Sequence, residues 1–264
     1  MPTLQSPDRA VILAAGLGTR LRPLTDVRPK PLVEVNGVPI LHNALRNLAL
    51  SGVASVALVV GYRQDEIRSA CGDRFAGMDI SYVESREYER TGSAYSLWLA
   101  RDWLSKGDAL LLEGDVFFEP RLLTRLLTYE RDVAALDAFD PEMTGSAALL
   151  SPRGLIREIR TNRSGADPDA ADFYKTVNVF RFTAQTLRDR LVPRLNEAMA
   201  RGASKAYLEE ILAMLIADES LELQAAICSD LRWFEIDNEN DLRIAESLFP
   251  APSARLIETT ESFA

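Results

Sequence analysis

Four groups far apart in the chain have the residue types needed to handle a triphosphate: the turn Gly16–Arg20, Lys30, Asp115 and Asp237. The turn follows an apolar run, Ala10–Leu13, and reads Ala14-Ala15-Gly16-Leu17-Gly18-Thr19-Arg20. Its glycines free the backbone and leave amide groups open to an anion. Arg20 adds positive charge, as does Lys30, held between Pro29 and Pro31. Leu13, Ala14, Ala15, Gly16, Gly18 and Thr19 are therefore candidate nucleotide contacts, with Arg20 and Lys30 as candidate catalytic cations. A P-loop needs four residues between its glycines and then Gly-Lys-Ser/Thr, and the dinucleotide fingerprint needs a third glycine where Leu21 stands, so neither fits. The plainer reading is a tight glycine turn with solvated arginines.

Asp115 lies between the apolar runs ALLLEG and VFF, and Asp237 follows WFEI. A carboxylate in such a setting is costly to bury unless it is paired or bound to a cation. Magnesium prefers one or two carboxylates together with substrate phosphates and water. Two strand-end aspartates and a cationic phosphate loop thus fit metal-assisted nucleotidyl transfer, with Asp115 and Asp237 as the Mg2+ ligands. The alternatives are a cap before Pro120 for Asp115 and an N-cap of the following helix for Asp237.

Composition narrows the partners. The formal net charge is −9, which argues against nucleic acid or an anionic membrane surface as a ligand. Within it, Arg9–Leu32 holds five cationic residues against one acidic residue, Asp26, a local excess that points to a small anion. The two cysteines, Cys71 and Cys228, have no metal-ligand spacing and suit a reducing compartment. The single histidine, His42, reads as a helix-start or packing residue more readily than as a base. The N-terminal MPTLQSPDRA lacks a cationic head and a long apolar segment, and no run approaches the roughly 18 apolar residues of a membrane span. A cytoplasmic protein with no membrane insertion is the expectation.

The elements that must position these groups follow from hydrophobic periodicity. Strands are expected at Ala10–Leu13, Leu32–Val35, Ser55–Val60, Ile80–Val83, Asp108–Leu112, Val133–Phe139, Ala147–Leu150, Leu221–Ile227 and Trp233–Ile236. Leu155–Thr161 and Phe173–Phe182 read as two strands of a hairpin. Helices are expected at Pro39–Leu50, Asp65–Cys71, Ser93–Leu104, Pro120–Tyr129, Thr183–Met199, Ser204–Ile216 and Asn238–Leu248. Strand and helix alternate in the first half, which argues for a mostly parallel α/β sheet flanked by helices, with a smaller hairpin and helix lobe. One domain, residues 1–250, and a C-terminal tail, 251–264, are expected. Ligands in such sheets collect at the carboxyl ends of the strands, where the glycine turn and both aspartates fall.

The stretch LAAGLGTRLRPLTDVRPKPLVEVNGVPIL resembles the N-terminal signature of the sugar-phosphate nucleotidyltransferase superfamily, through Gly16, Gly18, Thr19, Arg20, Leu21, Pro23, Thr25, Lys30 and Pro31. The likeness extends to EGDVFF around Asp115 and FEIDNENDL around Asp237. It implies a Rossmann-like nucleotidyltransferase fold and attack by a substrate phosphate on the α-phosphorus of a nucleoside triphosphate, with release of pyrophosphate. By that resemblance Arg20 grips the β,γ-phosphates, Lys30 stabilises the α-phosphate, and Asp115 and Asp237 hold magnesium. Such a reaction runs on alignment and charge neutralisation, without a dedicated base.

ERTGSAYSLWLARDWL is similar to the Tyr-Ser-Leu helix of bacterial phosphocholine and phosphonate cytidylyltransferases. This implies CTP as donor and phosphocholine, 2-aminoethylphosphonate or a similar small phosphoryl compound as acceptor, with Ser93 and Ser96 lining the base and ribose. Lys175 is then placed to meet the acceptor phosphate. Tyr88, Tyr95 and Trp233 are candidates for a cationic head group, and Glu209, Glu210 and Glu235 could add charge. Core packing and solvated helix faces are the competing readings. A hexose-1-phosphate uridylyl- or thymidylyltransferase and a non-catalytic nucleotide-sensing subunit of the same fold are the rival functions. The partners expected are small molecules, with room for a homodimer.

Overall fold

The computed structural model describes residues 7–251, so the expected tail beyond Ala251 and the segment before Pro7 lie outside the described residues. The strands are β1 (Arg9–Ala14), β2 (Glu34–Val35), β3 (Val38–Pro39), β4 (Ser55–Val60), β5 (Arg74–Phe75), β6 (Met78–Glu84) and β7 (Ala109–Glu113). They continue as β8 (Val116–Phe118), β9 (Val133–Ala138), β10 (Thr144–Leu150), β11 (Ile156–Ser164), β12 (Tyr174–Phe182), β13 (Gln224–Ile227) and β14 (Trp233–Glu235). The helices are α1 (Leu24–Val27), α2 (Ile40–Leu50), α3 (Gln64–Cys71), α4 (Ser93–Leu99), α5 (Arg101–Leu104) and α6 (Arg121–Leu126). After them come α7 (Ala184–Thr186), α8 (Val192–Ala200), α9 (Leu208–Ala217) and α10 (Glu239–Leu248), with one π turn, Leu187–Leu191, joining α7 to α8.

The main sheet has ten strands in the order β11-β10-β12-β7-β1-β4-β6-β5, with β9 also paired to β12 and β13 paired to β9. Strands β7, β1, β4 and β6 run parallel. Both faces of this region are covered, so β1 and β4 are buried along nearly their whole length, as their unbroken apolar runs require. Ala10, Ile12 and Ala14 pack into one core, and Val11 and Leu13 into the core on the opposite face. His42 lies on α2 and packs its ring 4.9 Å from that of Phe75. Cys71 and Cys228 are buried free thiols, and burial pushes both up to about 12. Among the described residues no helix is long and apolar enough to cross a membrane.

Three expectations about elements are corrected. Leu155–Thr161 and Phe173–Phe182 do not form a hairpin: β10 lies between β11 and β12 and pairs antiparallel with both. The tight turn is the earlier one, where Ser151 and Leu155 bond across Pro152-Arg153-Gly154 and Gly154 takes φ +75°. A short turn closes β10 onto β11 more readily than the long segment before β12 could close β11 onto β12. The expected helix Ser93–Leu104 breaks at Ala100, where Arg101 lies 4.2 Å over the Trp98 ring and donates to the Trp98 carbonyl at 3.1 Å. The helix expected from Ser204 starts at Leu208, because the Ser204 and Ala206 carbonyls accept hydrogen bonds from Gly92 and Ala94 instead.

Candidate active site

At the carboxyl ends of β1 and β7 the chain opens a cavity of about 710 Å³, lined on one side by Leu13–Arg20. Only Gly18 of the two turn glycines is in the left-handed region, at φ +65°. A Cβ there would meet Lys30 Cβ at 2.8 Å and Thr25 Cγ2 at 3.0 Å, so glycine lets the lysine stem lie against the turn. Thr25 ties the turn down by donating its hydroxyl to the Gly18 carbonyl at 2.8 Å. Gly16 has no such constraint and leaves the backbone exposed beside the cavity. Gly114 donates to the Leu13 carbonyl at 2.9 Å, and a Cβ there would come within 2.7 Å of the same oxygen. This close approach brings Asp115 up against the end of β1.

Asp115 and Asp237 are joined by a two-stranded ribbon. Strand β14 pairs antiparallel with β8, with Glu235 opposite Val116, and Ile236 donates to the Asp115 carbonyl at 2.9 Å. Lys30 bridges the two carboxylates, at 2.8 Å from Asp115 Oδ2 and 2.7 Å from Asp237 Oδ1. Arg20 reaches the same Asp237 oxygen at 2.8 Å from a largely exposed position. Burial alone would lower the Lys30 pKa, but Asp115 and Asp237 outweigh it and hold it above the ordinary lysine value. Burial likewise opposes the ionised Asp237, yet Lys30 and then Arg20 hold its carboxyl below the usual range. The capping of α10 falls to Asn238 and Asp241, which leaves the Asp237 side chain to these cations.

A second cluster of carboxylates shares Asp115. Glu113, Asp115 and Glu235 each offer an oxygen within 4.8 Å of the others. Asp115 Oδ1 is buried and makes no hydrogen bond among the described residues, while Oδ2 takes Lys30. Burial, then Glu209, Asp115 and Glu235, push the Glu113 carboxyl well above the ordinary value. Burial also raises Glu235, against the pull of Lys175. A hard divalent cation with oxygen ligands fits this set, since it would take the orphaned Asp115 oxygen and offset three crowded carboxylates. Asp237 lies outside the set and is matched by Lys30 and Arg20.

The cavity also takes in Tyr88, Ser93, Ser96, Glu209 and Glu235. Gly61 leaves room for Tyr88, whose Cβ would lie 2.9 Å from an added methyl. Ser93 accepts the Leu208 amide at 2.9 Å and so joins α4 to the start of α9. Four residues expected at the acceptor, Trp233, Tyr95, Lys175 and Glu210, do not line the cavity. Trp233 is 5% exposed in the core, and its indole donates to Asp137 Oδ2 at 2.6 Å. Tyr95 lies beside Trp98 on the outer side of α4, with ring centroids 5.6 Å apart. Lys175 is 2% exposed beneath the floor, bonded to Glu235 Oε2 at 2.8 Å and to the Thr176 carbonyl at 2.9 Å. Glu210 caps α9 by accepting the Tyr207 amide at 2.8 Å. Sequence reasoning missed Glu113, Ser146, Arg163 and Asn178. Glu113 had a signal, since it sits two residues before Asp115 at a strand end. Asn178, between valines in VNV, takes φ +61° at the irregular centre of β12 and turns its polar side chain to the cavity.

Comparison with known proteins agrees with this architecture. CMP-5'-(3-aminopropyl)phosphonate synthase of Streptomyces rubellomurinus is 36% identical over 258 residues, which is 96% of this chain and 41% of that protein. UTP–glucose-1-phosphate uridylyltransferase of Haloferax volcanii is 40% identical over 114 residues, 43% of this chain and 46% of that protein. The chain thus spans less than half the length of either relative. CTP:phosphocholine cytidylyltransferase of Streptococcus pneumoniae has the same fold, with a TM-score of 0.76 at 22% identity over 91% of this chain and 98% of its own. Residues 9–139 match the family described as nucleotidyl transferase, and this segment belongs to that family.

Proposed function

We propose that the protein is a magnesium-dependent cytidylyltransferase that moves CMP from CTP to a small phosphoryl or phosphonyl acceptor and releases pyrophosphate. The observation that carries the reading is the joining of Lys30 to Asp115 and Asp237 at the mouth of a cavity walled by the Leu13–Arg20 turn. A cavity of about 710 Å³ lies within the range of small-molecule sites. Cytidine as the base is supported by the likeness over 96% of the chain to the Streptomyces enzyme, whose product carries CMP.

In this reading the open backbone of the turn and Arg20 hold the β- and γ-phosphates. Lys30 exchanges its carboxylate partners for the α-phosphate, placing its charge where negative charge builds up. An acceptor oxygen attacks the α-phosphorus as the bond to the β-phosphate bridging oxygen breaks, and the electron pair leaves with pyrophosphate. The acceptor oxygen is already anionic, so no residue need remove a proton. His42 packs on Phe75 and is not among the cavity residues, in keeping with that chemistry. Asp115 and Asp237, freed as Lys30 and Arg20 turn to the phosphates, would hold the magnesium ion, with Glu113 and Glu235 beside Asp115; when bound, the ion neutralises the triphosphate and favours attack at the α-phosphorus.

The test is pyrophosphate release from each of CTP, UTP, dTTP and ATP, paired with phosphocholine, 2-aminoethylphosphonate or glucose 1-phosphate. The expected result is turnover with CTP and a small phosphoryl or phosphonyl acceptor. Turnover confined to the sugar phosphate would replace the reading with the hexose-1-phosphate one. No turnover with any pair would leave a nucleotide-binding subunit.

A further inference from the structure

Two sets of charges face the cavity, and only one is balanced. Asp115 and Asp237 are matched by Lys30 and Arg20. Among the described residues Glu113 and Glu209 make no ion pair, and Glu235 pairs with Lys175. Arg163, the other cavity-lining cation, is engaged by Asp167 at 3.0 Å and by Asp169.

Glu209 is the deepest of the three, only 6% exposed, on the second residue of α9. One carboxylate oxygen accepts the Ser146 hydroxyl at 2.9 Å. The other has no donor, and the side chain no cationic partner, among the described residues. Ser146 is itself held in a hydrogen-bonded network. The Ser146 carbonyl accepts Thr176 Oγ1 at 3.1 Å, Thr176 Oγ1 lies 2.9 Å from Asn178 Oδ1, and Asn178 Nδ2 donates to Glu235 Oε1 at 3.3 Å. With one oxygen fixed by Ser146 and the other open to the cavity with no counter-charge, this carboxylate is a ready partner for a cation that arrives with the ligand.

Resting on the cytidylyltransferase reading, we infer that Glu209, oriented by Ser146, selects the acceptor by its distal end and takes a primary ammonium group there. A primary ammonium donates hydrogen bonds into a carboxylate, whereas a quaternary one has no N–H and favours aromatic faces. Among the described residues the cavity is lined by only two aromatic side chains, Tyr88 and Tyr207, too few to enclose a quaternary group, and Tyr95 and Trp233 are elsewhere. Glu209 is also outside the three carboxylates that fit a divalent cation, so the two demands for positive charge are met at different places.

The experiment compares kcat/KM, with CTP saturating, for three acceptors of equal chain length: an ω-aminoalkylphosphonate, its N,N,N-trimethyl analogue and the unsubstituted alkylphosphonate. Wild type is expected to prefer the primary amine over both others. Glu209→Gln should lower the amine-to-alkyl ratio about 10- to 150-fold, the worth of one charge-assisted hydrogen bond. Mn2+ binding followed by electron paramagnetic resonance should change by less than about twofold, because Glu209 lies outside the metal set. Ser146→Ala should lower the ratio in the same direction by a smaller factor. An unchanged ratio in Glu209→Gln overturns the inference. Equal use of the trimethyl analogue by wild type does so without any variant, which covers the case in which Glu209→Gln fails to fold. Turnover with none of the three phosphonates but with glucose 1-phosphate removes the underlying reading as well, and so is a distinct failure.

Discussion

Replacing Lys30 by methionine keeps the aliphatic stem that packs against Gly18 and removes only the charge. Among the described residues its ammonium is the one cation paired with both Asp115 and Asp237, and the exposures of the three side chains are 13%, 19% and 14%. The pair is therefore largely shielded from water, and solvent does not screen it as it screens an exposed ion pair. Removing one partner of such a pair costs about 3–5 kcal/mol, because the remaining carboxylates stay buried and face each other. Arg20 cannot make up the loss: it is 66% exposed and reaches only Asp237, a pair worth under about 1 kcal/mol.

The pH dependence has a definite sign. Asp237 is held below the usual carboxylate range by Lys30, so its contribution to stability is present above the unfolded carboxylate pKa and is lost as pH falls through the folded one. In the variant the Asp237 carboxylate protonates more readily, so the difference from wild type should be largest near neutral pH and shrink in the acidic range. Urea denaturation of both proteins in metal-free buffer at several pH values between 4 and 8 measures it. A difference below about 1 kcal/mol at neutral pH, or one independent of pH, would refute the argument that the bridge is a shielded one. Turnover should fall as well, whereas Arg20→Ala should weaken nucleotide binding at little cost in stability.

Two further outcomes follow from the same geometry. Gly18→Ala combines a left-handed backbone with a methyl 2.8 Å from Lys30 Cβ; a stability loss of about 1–3 kcal/mol by thermal or urea unfolding and a higher KM for CTP are expected, and an unaltered KM would show that the turn does not set the lysine. Trp233→Phe removes the indole that satisfies Asp137 and should cost about 1–3 kcal/mol of stability with acceptor KM unchanged; a selective rise in acceptor KM would return Trp233 to the acceptor site.

The phosphate-binding end of the cavity was legible in the sequence because its parts are local. The apolar run Ala10–Leu13, the glycine turn and the proline-flanked Lys30 carry their conformation in near neighbours, and strand-end aspartates between apolar runs stand out by chemical type alone. The parallel α/β sheet was legible for the same reason, since continuous burial on both faces writes unbroken apolar runs. The acceptor end was not legible. Whether Lys175 faces the cavity or lies under it depends on β12 pairing with both β9 and β10, and no local pattern around the residue records those partners. Tyr95 and Trp233 have the right chemistry for a cationic ligand, but helix phase and the β8–β14 register turn them elsewhere.

The sequence by itself determined which groups could manage a triphosphate and that they would meet at strand ends. Only the tertiary structure decided how the charges were shared: Lys30 and Arg20 with Asp237, the orphaned Asp115 oxygen with Glu113 and Glu235, and Glu209 left without a cation. Charge type is a property of a residue, but compensation depends on distance, and these distances are closed by strand pairings between residues far apart in the chain.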